Sequence, residues 1–109
     1  MIGLDAGELD RRVVVERATT ETDDYGGEVK TWSQWCKPWA KITYGRAEER
    51  RQAAQEEASL VATFRVRDNA KTSDIRTTDR IVYENAVWDI SSNVPFNRTG
   101  RDITAIRKS

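Results

Sequence analysis

The sequence predicts a mainly β protein, a small β-barrel of about five to seven antiparallel strands that spans residues 1–109 as one domain. Short segments rich in β-branched and aromatic residues alternate apolar with polar side chains, as half-buried strands do. Clusters of Gly, Asn, Asp and Pro separate these segments about every ten residues, which is typical of small barrels and sandwiches. A chain of 109 residues has room for one hydrophobic core only.

The first predicted hairpin lies in the N-terminal third of the chain. Arg12–Ala18 contains three consecutive valines and is predicted to be a strand, because valine is β-branched. Glu21–Glu28 is predicted to be a turn, in which Asp24 bonds the backbone downstream of it and two glycines adopt positive φ at little cost. Val29–Trp35 then returns as the second strand.

Two further strands and a helical turn follow from local signals. Asp5 or Gly7 is predicted to open a short helical turn before the first strand, because Asp is a good N-cap. Pro38 interrupts a tryptophan-rich run, so Trp39–Tyr44 is predicted to be a separate strand after a bend. Leu60–Arg67 alternates apolar and polar residues and is predicted to be the next strand.

The C-terminal part of the chain predicts a second hairpin and a last strand. Arg80–Tyr83 and Ala86–Ile90 flank Glu84-Asn85, and asparagine tolerates the left-handed backbone that a tight turn requires. Val94–Gly100 is predicted to be a loop because it contains Pro, Asn and Gly. Ile103–Ile106 is predicted to be the final strand.

One segment, at about residues 45–59, departs from the β pattern. Arg46–Ser59 lacks β-branched residues and is rich in Ala, Glu, Gln and Arg, which are strong helix formers. Its apolar side chains are four alanines, which bury little area. We therefore expect a helical or loop excursion. It is either a surface helix that closes one end of the barrel or an arm that becomes ordered against a neighbouring protein.

The residue types present argue against an enzyme. The chain contains no His, which is the commonest general base and metal ligand. Cys36 lies between aromatic residues and is predicted to be a packing residue rather than a nucleophile. The carboxylates of the excursion alternate with arginines, which favours a solvated face over a metal site. We expect no catalytic residue, no cofactor and no metal ion.

The same composition limits the cellular setting. A single cysteine cannot form a disulfide within the chain, and the N-terminal residues lack the features of a signal peptide. No stretch approaches the ~20 apolar residues of a membrane span. We therefore expect a soluble protein made in a reducing cytoplasm, with no membrane partner.

Several aromatic residues allow a nucleic-acid-binding alternative. Rings on the strands of an oligonucleotide-binding-like barrel can stack on bases, but such a surface also needs a basic groove. The formal net charge is zero, and the strand AVWDI has no basic residue, so most of these rings are expected to be core. The rings concerned are Trp32, Trp35, Trp39, Phe64, Tyr83 and Trp88.

Several segments, taken in order, resemble one protein family. The opening AGELDRRVVV resembles the G-x-L-x-x-R-V start of the head–tail joining (head-closure, or stopper) proteins of tailed bacteriophages. The turn DDYGGEVKTW is similar to that family's D-x-Y-G-G…T-W hairpin, and WAKITYGRAEERRQA is similar to its W-A-x-I…G-x-E…A passage. TFRVR, DRIVYENAVWDI and ITAI resemble its later strands. The chain departs from the family at Asn85, where glycine is frequent, and in the longer, more basic connection NVPFNRTGRDIT.

The resemblance implies a structural virion protein that forms a ring at the head–tail connector of a phage or gene-transfer-agent-like particle. Such a ring would close the DNA channel after packaging and dock the tail. It implies assembly in the bacterial host cytoplasm, with portal and adaptor rings, tail-terminator or tail proteins and copies of itself as partners. Packaged DNA would be contacted only sterically or electrostatically. A tail-terminator or other tail-tube ring protein is an alternative with the same small barrel.

Two sets of residues are predicted to make these contacts. In the family the excursion faces the channel or the neighbouring ring, which implies a partner or channel role for Arg46, Glu48, Glu49, Arg50, Arg51, Gln55 and Glu56. Charge is also asymmetric along the chain: residues 1–30 carry net −4 and residues 95–109 carry net +3. Complementary charges of this kind predict subunit contacts between Asp5, Glu8 and Asp10 on one side and Arg98, Arg101 and Arg107 on the other.

Overall fold

The computed structural model describes residues 9–45 and 60–107, which form eight strands and one short helix. Nearly all of this structure is antiparallel sheet, as the sequence predicts. No helix among the described residues is long and apolar enough to cross a membrane. The elements are β1 (Arg11–Arg12), β2 (Val14–Thr22), β3 (Glu28–Cys36), β4 (Trp39–Tyr44), β5 (Leu60–Arg67), α1 (Ala70–Ser73), β6 (Arg80–Tyr83), β7 (Ala86–Phe96) and β8 (Gly100–Arg107).

The eight strands form one sheet in the order β1-β4-β5-β8-β7-β6-β2-β3. Only Val13 separates β1 from β2. Because β1 pairs with β4 and β2 pairs with β6, the two sides of the sheet meet at this one chain segment, and the sheet is curled. The Val13 amide donates a hydrogen bond to the Pro38 carbonyl at 3.1 Å, which joins this segment to the β3–β4 junction. The sheet is therefore a curled, barrel-like structure with β3 added outside it.

The core lies inside the curl and follows the period of two along the strands. Ala62, Phe64 and Val66 on β5 are fully buried, whereas the residues between them are only partly buried. Phe64 packs edge-on against Trp88 with ring centroids 5.4 Å apart. Buried apolar side chains complete the core: Val13, Val15, Ala40, Ile75, Ile81, Ile90, Ile103 and Ala105.

The sequence-based prediction of a loop at Val94–Gly100 is wrong. β7 continues to Phe96, with Pro95 opposite Arg101 on β8, and the turn is confined to three residues of which Asn97 has φ 51°. A proline at this position removes only one potential donor from the ladder, so the strand continues through it. The final strand is correspondingly longer than the predicted Ile103–Ile106.

A short element between β5 and β6 escapes prediction from the sequence. Asn69 caps α1, its side chain accepting bonds from the Lys71 and Thr72 amides at 2.9 and 2.8 Å, and Thr72 Oγ1 accepts from the Asn69 amide. The Asn93 side-chain amide of β7 donates to the Thr72 and Ile75 carbonyls. These bonds fix the 68–79 connection across one end of the curled sheet.

The excursion at about 45–59 lies almost wholly outside the described residues, as does the start of the predicted helical turn at Asp5 or Gly7. Its flanks are held by neighbouring strands. Tyr44 pairs with Ala62, and the Gly45 amide donates to the Val61 carbonyl at 2.8 Å. The two ends of the excursion are therefore adjacent in space.

Candidate assembly surfaces

A two-stranded arm projects from the curled sheet. β2 pairs with β6 only through Val14, Val15 and Glu16, and beyond that point β3 is its only strand partner in the described chain. Every residue from 19 to 31 is exposed. This arm, residues 19–31, carries four carboxylates and one lysine, a net charge of −3. It is an acidic ribbon that surrounding protein does not cover.

The tip of the arm is a hydrogen-bonded turn built on Asp23. Its Oδ1 accepts from the Tyr25 and Gly27 amides at 2.9 and 2.7 Å, and Gly26 takes φ 80°. The turn therefore depends on Asp23, and the prediction that Asp24 makes this bond is wrong by one residue. Tyr25 is 98% exposed at the tip.

A cluster of charges anchors the base of the arm to the 68–79 connection. The Arg17 guanidinium donates to both carboxylate oxygens of Asp79 at 3.0 Å, and to the side chain and carbonyl of Asp74 at 3.1 and 2.7 Å. The Asp79 side chain is only 1% exposed and also accepts the Arg76 amide. Hydrogen bonding to Arg17 lowers the pKa of Asp74, and hydrogen bonding to Asp79 raises the pKa of Arg17. Nothing in the sequence pattern pointed to these three residues as a cluster.

Tryptophan and cationic side chains stack at the same base. Trp35 lies between the Arg17 guanidinium and the Lys71 ammonium, 3.7 and 3.8 Å from its ring centroid, and its Nε1 donates to the Lys71 carbonyl. Trp32 lies 4.1 Å from the Arg80 guanidinium. The prediction that most of the rings are core is correct for Phe64 and Trp88. Trp35 and Tyr83 are partly buried and pack against the core, whereas Trp32 is half-buried against the Arg80 guanidinium.

A basic patch lies on the outer face of β1 and β4. Lys37, Trp39 and Lys41 occupy alternate positions and are exposed, whereas Ala40 between them is fully buried. Arg12 pairs with Trp39 across the two strands, and its guanidinium lies 5.1 Å from the indole centroid. Trp39 is 49% exposed, so the expectation that it belongs to the core is wrong. We define the basic patch as Arg12, Lys37, Trp39 and Lys41.

The structure does not gather the predicted C-terminal contact residues into one surface. Arg98 is exposed in the β7–β8 turn, whereas Arg107 ends β8, about 23 Å away at 3.3 Å per residue. Arg101 is bonded within the fold to Asn93 at 2.8 Å and to Asp68 at 3.7 Å, with a side chain 16% exposed.

On the acidic side, Asp10 is exposed before β1, and Asp5 and Glu8 lie outside the described residues. The proposed channel residues of the excursion also lie outside them: Arg46, Glu48, Glu49, Arg50, Arg51, Gln55 and Glu56.

Cys36 is half-buried at the end of β3 and packs against the core. Burial raises the pKa of its thiol to about 11, so it is a poor nucleophile near neutral pH. No group of three His, Cys, Asp or Glu side chains suited to a metal ion occurs within residues 9–45 and 60–107.

The chain is similar to known proteins both in its sequence pattern and in its fold. Residues 4–108 match the model of the family described as phage head completion protein. A protein of Shigella flexneri 2a, solved in solution, is similar with TM-score 0.70 and 21% identity over 97% of both chains. A chain from the virion of a native gene transfer agent particle is similar with TM-score 0.65 and 20% identity, over 93% of this chain and 96% of that one. No curated protein matches the chain.

Proposed function

The chain belongs to the phage head completion protein family and has a structural role in the virion, and from this premise we propose that it is a ring subunit of the head–tail connector. In this proposal the ring closes the DNA channel after packaging and presents a docking surface to the tail. The family match over residues 4–108 is the observation that carries the proposal. Assembly would take place in the cytoplasm of the bacterial host.

The geometry of the described residues supports this role. A stable curled sheet displays two exposed surfaces of opposite charge, the acidic arm and the basic patch, and both lie outside the core. Exposed rings at the arm tip and in the patch, Tyr25 and Trp39, are the residue types that proteins use as contact anchors. These exposed surfaces suit a subunit whose role is to contact other proteins.

We also propose that the excursion between β4 and β5 reaches the channel or the neighbouring ring. The flanking strands support this, because they hold the two ends of the excursion next to each other, so the chain leaves and re-enters the sheet at one place. Portal or adaptor proteins on one side and tail proteins on the other are the proposed partners. Packaged DNA would be contacted without sequence-specific chemistry.

The test is complementation of particles that lack the gene. We expect such particles to fill with DNA, to lose it on dilution and to carry no tails in electron micrographs, and we expect the wild-type chain to restore both properties. A variant in which a short Gly/Ser linker replaces residues 46–58 should fold with a near-normal melting temperature and fail to restore them. Particles that retain DNA and tails without the chain would refute the role at the connector. A linker variant that restores DNA retention and tails would refute the role of the excursion but not the role at the connector.

A further inference from the structure

We propose that the acidic arm of one subunit binds the basic patch of a second copy of this chain, and that this contact joins neighbours in the ring. The inference deepens the proposed function and rests on it, since it names the surfaces that would hold the ring together. Both surfaces belong to the described part of the chain, and both are exposed in the single subunit.

Charge complementarity identifies the occupant. The arm carries net −3, and the patch carries three cations, of which Lys41 lines a cavity together with the carboxylates Asp10 and Glu84. Each surface also presents one large exposed ring, Tyr25 on the arm and Trp39 on the patch. An aromatic anchor surrounded by opposite charges gives an interface both contact area and a fixed orientation.

The two surfaces of one subunit are too far apart to meet. β3 has nine residues and runs from Glu28 at the arm tip to Cys36, just before the patch, which is about 26 Å at 3.3 Å per residue. The arm can therefore meet this patch only on another chain. Such a contact joins two different surfaces, and repetition of it generates a ring when the rotation closes.

Cross-linking of the purified full chain tests the contact directly. In a Cys36→Ser background, Thr22→Cys places a thiol on the arm, and Thr43→Cys places one on the outer face of β4 beyond Lys41; neither changes a charge. Val87→Cys is the matched control, because Val87 is exposed on β7, three strands away from β4 in the sheet. We expect the mixed Thr22→Cys and Thr43→Cys chains to form the disulfide dimer at least about tenfold faster than the Thr22→Cys and Val87→Cys mixture. The advantage should shrink at high salt.

Charge reversal tests the same contact in particles. One variant reverses the arm (Glu21→Lys, Asp24→Lys, Glu28→Lys) and another reverses the patch (Arg12→Glu, Lys37→Glu, Lys41→Glu). Either variant alone places like charges opposite each other, and we expect at least about tenfold less of it in purified particles. Together the two variants restore every arm-to-patch pair, so co-expression should return incorporation to about the wild-type amount.

The outcomes separate this inference from the proposed function. Equal cross-linking rates in the two mixtures would overturn the inference, and so would failure of co-expression to rescue, because the arm or patch would then contact a different partner. Loss of binding to double-stranded DNA in the patch-reversed chain, together with equal cross-linking rates, would assign the patch to nucleic acid instead. Preferential cross-linking in solution, with particles that need no chain for DNA retention or tails, would support the contact while refuting the connector role.

Discussion

Arg17 and Asp79 are 62 residues apart in the sequence and form a two-pronged ion pair, with Nε–Oδ1 and Nη2–Oδ2 distances both 3.0 Å. Among residues 9–45 and 60–107, removal of the guanidinium would leave the nearly inaccessible Asp79 carboxylate with the Arg76 amide as its remaining donor. We expect Arg17→Met to lower the free energy of unfolding by about 3 kcal/mol.

Arg65→Met is the matched control for this prediction. The Arg65–Asp102 pair is also two-pronged, but the two side chains are 28% and 21% exposed, so solvent screens it more. We expect a cost of about 1 kcal/mol for that variant. Equal costs in urea denaturation would show that the Arg17–Asp79 pair stabilises the fold no more than the more exposed Arg65–Asp102 pair does.

Trp88 is the largest fully buried side chain, and its indole N–H finds no acceptor among the described residues. We expect Trp88→Ala to destabilise the fold by about 3–5 kcal/mol because it opens a large cavity. Trp88→Phe should cost only about 1–2 kcal/mol, since it keeps most of the packing and removes an unpaired donor. Trp39→Ala should change stability by less than about 1 kcal/mol. Thermal melts that rank these variants differently would contradict the description of the core.

The Cys36 thiol should react slowly in the folded protein. Burial raises its pKa to about 11, so little thiolate is present near neutral pH. At about pH 8 we expect alkylation by iodoacetamide to be about a hundredfold slower in the native chain than in concentrated denaturant. The native rate should continue to rise with pH up to about 11. Similar native and denatured rates at pH 8 would show that Cys36 is accessible and ionises normally.

Asn85 and Asn97 hold left-handed backbone conformations in the two C-terminal turns, with φ values of 62° and 51°. Alanine disfavours this conformation, so Asn85→Ala and Asn97→Ala should each cost about 1 kcal/mol of stability. Glycine adopts it freely, and the corresponding Gly variants should be at least as stable as the wild type. A Gly variant as unstable as its Ala counterpart would indicate that the asparagine side chain itself is required.

Prediction from the sequence succeeded where the signal is local. Strands β5 and β6 begin and end where the alternation and the turn residues indicate, and the Glu84-Asn85 turn has the predicted backbone. The end of β7 was missed because a Pro-Asn-Gly composition normally marks a loop, whereas here pairing with β8 on one side maintains the strand through Pro95.

The candidate surfaces were harder to predict, because they depend on contacts between distant segments. The tryptophans of β3 and β4 look like core in the sequence, and only the fold shows that cations cover two of them and that Trp39 lies on an outer face. The bonds from Arg17 to Asp74 and Asp79 join segments 57 and 62 residues apart, so no spacing rule reveals them. The uneven distribution of charge along the chain was visible in the sequence. Where Arg98, Arg101 and Arg107 lie in space, in contrast, is decided by the sheet.

The arm is formed by the outer parts of β2 and β3, so a force on its tip is transmitted directly to the sheet. Hydrogen bonds between antiparallel strands lie perpendicular to the chain direction. A pull on the tip passes along the backbones of β2 and β3 to the base of the arm, where it loads the three-residue ladder between β2 and β6 in shear. A sideways push meets only the bending stiffness of a two-stranded ribbon. An arm of this kind resists tension while it bends laterally, so two subunits joined through it as proposed would tilt under load without separating.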